Sequence, residues 1–200
     1  MPETAIAMFP DVGASFFLSR LPGALGFFLA LTGARLTGAD AVHAGIATHF
    51  VPKAALGALR AELPRDGVAA VGTHACSLPP FSLAAQRAAI DRCFGVGSVA
   101  EIVSRLQAEG SDWAREMLAT LRGMSPSSVL WSFEIVRRGA ALSLRECLAM
   151  ELRLTRHVTA HPDFAEGVRA MVVDKDRKPR WNPARIEEVP LADIAAMFEG

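Results

Sequence analysis

Met1-Pro2-Glu3-Thr4-Ala5-Ile6-Ala7-Met8-Phe9-Pro10-Asp11-Val12-Gly13 is the stretch that decides how this 200-residue chain is read. It places two carboxylates, Glu3 and Asp11, on either side of an apolar run. A glutamate that follows proline and opens an apolar run can be desolvated by its surroundings and tuned as a base or nucleophile. The same residue also reads as a solvated charge near the chain start. Asp11 lies behind Phe9-Pro10 and ahead of Val12-Gly13, at the mouth of the next helix, where an N-cap is the structural alternative. An active-site segment normally has a folded scaffold before it, so its position at residue 1 makes an incomplete chain the expectation.

Composition sets the outer bounds. Half of the residues are hydrophobic (51%), which is enough for one sizeable domain or two small lobes with a buried core. Lys plus Arg balance Asp plus Glu, 21 against 21, and no long basic run is present to track phosphates, so nucleic acid is not an expected partner. Cys76, Cys93 and Cys147 are widely separated and lack the spacing of a zinc site or redox motif, which fits a reducing compartment and predicts no metal. The longest apolar stretch, Ala24 to Leu31, is far short of the roughly 20 residues that span a bilayer, and Glu3 stands where a signal peptide carries positive charge. A cytoplasmic protein with no membrane partner is expected, in the mitochondrial matrix if eukaryotic; a lost N-terminus would have taken any targeting peptide with it.

Outward from the opening segment, Ser15 to Leu21 and Ala24 to Leu31 predict two short buried helices separated by Pro22-Gly23. Thr32 to Gly38 reads as a turn region, Ala39 to Ala44 as a short helix closed by Gly45, and Ile46 to Val51 as a strand ended by Pro52. Lys53 to Leu63 predicts a helix, and Pro64 to Pro80, with its glycines and prolines, a surface connection. Later helix starts are written as an oxygen-bearing cap three residues before a glutamate: Ser98 with Glu101, Ser143 with Glu146, and Asp163 with Glu166. Ser125-Pro126 is a further start, closed by Gly139, and Asp174 to Trp181 reads as an exposed polar tail.

Other candidates for chemistry have stronger structural readings. His43, His49, His74, His157 and His161 form no triad order or metal spacing. Phe16, Phe17, Phe27 and Phe28 could line a channel for an apolar ligand, but a helical aromatic stripe is more often core. Arg177, Lys178 and Arg180 could meet phosphates, and read more simply as a solvated tail; Trp113, Trp131 and Trp181 read as packing residues.

Met1 to Gly13, Leu21-Pro22-Gly23 and Leu29-Ala30-Leu31-Thr32-Gly33-Ala34-Arg35-Leu36 together resemble the central part of the enoyl-CoA hydratase/isomerase (crotonase) superfamily, and within it the branch of 3-hydroxyisobutyryl-CoA hydrolases. Ala44 to Val51, Met124-Ser125-Pro126, Asp163 to Ala170, Asp174-Lys175-Asp176 and Pro179-Arg180-Trp181 agree in the same order. The resemblance implies a helix-dominated α/β fold: the end of a crotonase-type ββα spiral with the active-site segment at 1–55, a connection at 56–80, and a C-terminal helical lobe and tail at 81–200. It also implies an acyl-CoA substrate, with no cofactor because coenzyme A is part of that substrate, and homo-oligomer contacts through the C-terminal helices. The residue matching Glu3 is the catalytic carboxylate, attacking the thioester or activating water, and the one matching Asp11 contacts the 3-hydroxyl of the acyl group. Hydratases of the superfamily resemble the chain at Glu3 but usually carry glycine at the Asp11 position, which favours the hydrolase of valine catabolism. Ala7 and Ala14-Ser15 stand where those hydrolases commonly show glycine, a departure that alters the backbone expected near Asp11.

The turns that supply the family's oxyanion N–H groups would lie before Met1. Losing one such donor costs about 10²–10³ in rate, so weak activity of the chain alone is expected. The rivals are an enoyl-CoA hydratase or isomerase, and a non-catalytic helical assembly fragment.

Overall fold

A computed structural model describes residues 2–199; Met1, the first residue of the opening stretch, and Gly200 lie outside the described residues. Helix dominates. In chain order the helices are α1 (Ala14–Leu18), α2 (Leu25–Thr32), α3 (Gly38–His43), α4 (Leu56–Asp66), α5 (Ala69–His74), α6 (Arg87–Phe94), α7 (Val99–Glu109), α8 (Asp112–Gly123), α9 (Pro126–Gly139), α10 (Leu144–Val158), α11 (Pro162–Val168) and α12 (Leu191–Ala196). A 3-10 turn, Glu3–Ile6, precedes them, and a π-helical turn, Arg169–Val173, continues α11. Contacts divide the chain into two units: residues up to Arg35 together with those from Ala88 onward, and Leu36–Arg87.

The larger unit is organised on α2, whose sequence is apolar almost all round and which therefore has to be buried, and on α9, which buries most of its length despite its serines and charges. Seven of the eight residues of α2 are buried, and α9 buries Val129, Leu130, Trp131, Phe133, Ile135 and Val136. Three glycines let backbones meet. A Cβ on Gly26 would lie 1.9 Å from the Leu18 carbonyl oxygen, on Gly139 2.1 Å from that of Ser15, and on Gly167 2.5 Å from the Ile6 carbonyl carbon. These contacts lock α1 against α2 and α9, and the 3-10 turn against α11. Arg20 adds a clamp, donating to the carbonyls of Phe16 (2.7 Å), Gly139 (3.0 Å) and Leu142 (2.8 Å).

Helix starts with a capping hydroxyl occur where the sequence writes them. Ser98, Ser125 and Ser143 each accept from a backbone N–H one turn on, and Ser143 with Glu146 forms a full capping box. Asp163 is different. His161 caps α11, while the buried Asp163 carboxylate accepts from the Ser125 hydroxyl (2.9 Å) and the Asn182 N–H (2.8 Å), so tertiary donors outcompete the local cap. Gly139 ends α9 but lacks the left-handed φ of a closing glycine; its missing Cβ is needed for the contact with Ser15 instead. The polar stretch Asp174 to Trp181 is largely exposed, as expected, yet pinned: the Arg169 guanidinium pairs with Glu166 (2.8 Å), Asp174 (2.7 Å) and Asp176 (2.7 Å). The short helix α12 had no signal in the sequence pattern.

In the smaller unit, α3 is opened by a capping box between Thr37 and Asp40. The buried Asp40 carboxylate also accepts from the Ser82 N–H (2.8 Å) and hydroxyl (2.9 Å), tying the loop at Ser82 to α3. The strand expected over Ile46 to Val51 is not formed, and no strand occurs among the described residues. The amides of Ile46 and Ala47 both donate to Ala41 O (2.8 and 3.0 Å), curling the segment back onto α3. A lone extended run without a partner strand has nowhere to place its ladder hydrogen bonds. The helix expected over Lys53 to Leu63 forms as α4, while Pro64 to Pro80, expected as a surface connection, carries the end of α4 and the short α5. Pro64 does not end α4, because it lies on an exposed face where water can satisfy the carbonyl left without its donor.

Candidate active site

Glu3 opens the 3-10 turn, and Ala7 closes it in the left-handed conformation (φ 52°), with the Met8 N–H donating to Glu3 O at 2.9 Å. Four residues cannot hold such a turn by themselves. It is held from outside. The Ser125 N–H donates to Thr4 O (3.3 Å), the Ser128 hydroxyl donates to Met8 O, and the Gly167 backbone packs against Ile6. The N-terminus of α9 and the middle of α11 therefore fix the backbone on which the Glu3 carboxylate rides.

The Glu3 side chain is half-buried, and its Oε2 is buried with no hydrogen-bond partner among the described residues. Burial pushes its carboxyl above the usual range. A hydrogen bond from its own backbone works in the opposite direction, and the negative charge of Asp11 adds to the rise. Asp11 is half-buried, and its side chain makes no hydrogen bond among the described residues.

Asp11 is not the helix cap that one reading made it. The N-cap position of α1 is Gly13, and its orphan amides are met by Glu151 of α10. The Gly13 N–H donates to Glu151 Oε2 (2.8 Å), while the Ser15 N–H (2.9 Å) and hydroxyl (2.5 Å) donate to Oε1. The amides of α1 are consequently occupied and do not form a free oxyanion pocket. Glu151 went unnoticed in the sequence although a signal exists. It falls on the apolar stripe of α10 with Cys147, Met150, Leu154 and Val158, at 3.6-residue spacing, where a charge has to find a buried partner.

The other candidates take structural places. Phe27 stacks on Phe133 (4.9 Å) and Phe28 meets Phe94 edge-on (5.4 Å) in the core. Phe16 lies under the Arg20 guanidinium, Trp131 is buried, and the Trp181 indole N–H donates to Gly123 O. His43 stacks on Phe81 and His161 meets Trp131. A surface concavity of about 410 Å³ is lined by residues such as Leu121, Arg122, Arg185 and Ile186, not by Glu3 or Asp11.

The helical scaffold thus braces from outside a turn whose glutamate carries a desolvated carboxylate oxygen without a partner among the described residues, a setting in which a carboxylate can serve acid–base or nucleophilic chemistry. The family model described as enoyl-CoA hydratase/isomerase matches residues 1–198, and the chain belongs to that family. It is 44% identical to the mitochondrial 3-hydroxyisobutyryl-CoA hydrolase of Xenopus laevis, over 99% of this chain and 54% of that protein. It is 42% identical to the human mitochondrial 3-hydroxyisobutyryl-CoA hydrolase, over 100% of this chain and 55% of that protein. Among solved structures, a carnitinyl-CoA dehydratase from Mycobacterium thermoresistibile superposes with a TM-score of 0.93 at 40% identity, covering the whole of this chain and 58% of its own. An enoyl-CoA hydratase from Rhodobacter sphaeroides superposes with a TM-score of 0.91, also at 40% identity and with the same coverage. The chain spans about half the length of the curated relatives it matches. Among the described residues no helix is long and apolar enough to cross a membrane.

Proposed function

We propose that the protein carrying this chain hydrolyses 3-hydroxyisobutyryl-CoA or a closely related 3-hydroxyacyl-CoA, with Glu3 as the catalytic carboxylate and Asp11 as the acceptor for the 3-hydroxyl. The observation that carries the reading is the Glu3 oxygen, buried and without a hydrogen-bond partner among the described residues. Buried polar atoms are almost always hydrogen-bonded, so an orphaned carboxylate oxygen points to a partner that arrives with the substrate. A desolvated carboxylate is also a stronger nucleophile or base than a hydrated one. Two routes lead from it to the same products. Glu3 can attack the thioester carbonyl and expel the coenzyme A thiolate, leaving an acyl anhydride that water cleaves, or it can take a proton from water as that water attacks. The names of the relatives at 42–44% identity support the substrate, and those of the eukaryotic ones support a mitochondrial matrix location in eukaryotes.

A second reading, hydration of an enoyl-CoA, is favoured by the names of the two superposed structures. Asp11 separates the two readings: a hydroxyl on the substrate's third carbon gives that carboxylate a hydrogen-bond donor, whereas an enoyl group has none. The deciding experiment assays the whole protein for release of free coenzyme A from 3-hydroxyisobutyryl-CoA and for loss of an enoyl chromophore. Glu3→Gln is expected to lower coenzyme A release by a factor of about 10³ or more. Asp11→Asn is expected to act chiefly on substrates with the 3-hydroxyl. Unchanged turnover in both variants overturns the reading, and chromophore loss without coenzyme A release replaces it with the hydratase.

A further inference from the structure

Asp11 depends on a turn that its own sequence cannot stabilise. Val12, which follows it, has φ 52° and is 78% exposed, and Gly13 has φ 89°. A β-branched residue in the left-handed region is an outlier that persists only when the surroundings over-determine it. The five-residue helix that comes next is too short to impose the conformation.

The over-determining group is Glu151, 138 residues further along the chain. Only 3% exposed, it brings both carboxylate oxygens to the turn, one to the Gly13 N–H and the other to the N–H and hydroxyl of Ser15. Its helix is set against the same place, since a Cβ on Gly13 would lie 3.4 Å from Leu144 Cδ1 and 3.9 Å from Leu148 Cδ2. A single residue, Val12, separates the clamped amide from Asp11. The clamp therefore fixes the direction in which the Asp11 carboxylate leaves the backbone. Glu151 itself is buried behind α1, its oxygens are occupied, and it is not a group that meets substrate.

We propose that Glu151 is the positioning residue of Asp11, holding the turn Asp11-Val12-Gly13 so that the protein selects acyl thioesters bearing a 3-hydroxyl. The inference rests on the proposed role of Asp11. It deepens that role by assigning the selectivity to a buried residue of α10.

The test compares kcat/KM for 3-hydroxyisobutyryl-CoA with that for isobutyryl-CoA, which lacks the hydroxyl, in the whole protein. Glu151→Gln retains the shape of the side chain but turns one acceptor into a donor facing an N–H. It is expected to lower the ratio of the two constants about tenfold or more, as a displacement of about 1 Å costs up to about 10²-fold. It should leave isobutyryl-CoA turnover nearly unchanged and speed hydrogen exchange at the Gly13 and Ser15 amides. Combined with Asp11→Asn it should add nothing further, because both substitutions remove the same interaction. If Glu151→Gln fails to fold, Ser15→Ala, which removes one of the three donors, is expected to lower the same ratio by a smaller factor. Equal losses on both substrates, an unchanged ratio, or losses that multiply in the double variant overturn the proposal. If Asp11→Asn alone leaves the ratio unchanged, the reading of Asp11 fails and the inference falls with it. If Asp11→Asn collapses the ratio and Glu151→Gln does not, only the inference fails.

Discussion

Glu3 carries the clearest physical tension in the molecule. Its carboxyl titrates above the ordinary range because burial penalises the charged form, so the folded protein holds this proton more tightly than the unfolded chain does. Two consequences with opposite signs follow. Turnover should fall as pH drops through the raised value, since the protonated acid can neither attack nor accept a proton. Stability, in contrast, should be lost as pH rises from the ordinary value of 4.5 through the folded value, since ionisation then costs more in the fold than out of it. Glu3→Gln is therefore expected to abolish turnover while raising the Tm at pH 7, and to flatten the dependence of Tm on pH in that window. A lower Tm for the variant would mean that the charge stabilises the turn. At this scale the sequence made both carboxylates visible, because proline and an apolar run flank Glu3 and a turn signal follows Asp11. Glu151 shows there only as a charge on an apolar stripe, because the donors that give it a role approach only after α10 packs on α1.

Among elements, the contrast is between helices that touch through glycine and helices that carry glycine with nothing opposite. A methyl on Gly139 or Gly167 meets backbone that cannot rotate away, and overpacking of this kind costs about 1–3 kcal/mol. Gly139→Ala and Gly167→Ala are each expected to lower unfolding free energy by about 2 kcal/mol in denaturant titrations. Gly167→Ala should also depress turnover, because the atoms it displaces belong to Ile6 in the turn that starts at Glu3. Gly72 lies inside α5, where an added methyl would have nothing within 4 Å, so Gly72→Ala should gain about 0.5–1 kcal/mol from helix propensity alone. These glycines look alike in sequence. Helix starts were legible because a serine cap and its glutamate act within one turn; the failure at Asp163 arose because Ser125 and Asn182 offered it better donors from elsewhere in the chain.

At the scale of the whole molecule, the smaller unit carries an acid response of its own. Burial alone would raise the carboxyl of Asp40, but hydrogen bonds from the backbone and hydroxyls of Ser82 and Thr37 outweigh it and hold it at about 2. A depressed carboxyl stabilises the fold above its ordinary value of 3.8, and the contribution is lost as pH falls towards 2. Hydrogen exchange between pH 4 and pH 2 should therefore show residues 36–87 losing protection. Asp40→Ala should cost about 2–3 kcal/mol at neutral pH and remove that pH dependence. The sequence by itself determined the helical class, most helix starts, the family resemblance and the two carboxylates of the site, since each is written in residues close together along the chain. Only the tertiary structure decided that Ile46 to Val51 is no strand, that α4 runs through Pro64 and α5 follows it, that Ser125, Ser128 and Gly167 hold the turn at Glu3, and that Glu151 holds the turn after Asp11. Those outcomes rest on hydrogen bonds and close approaches between residues far apart in the chain, or on the absence of a partner strand, and no local pattern encodes either.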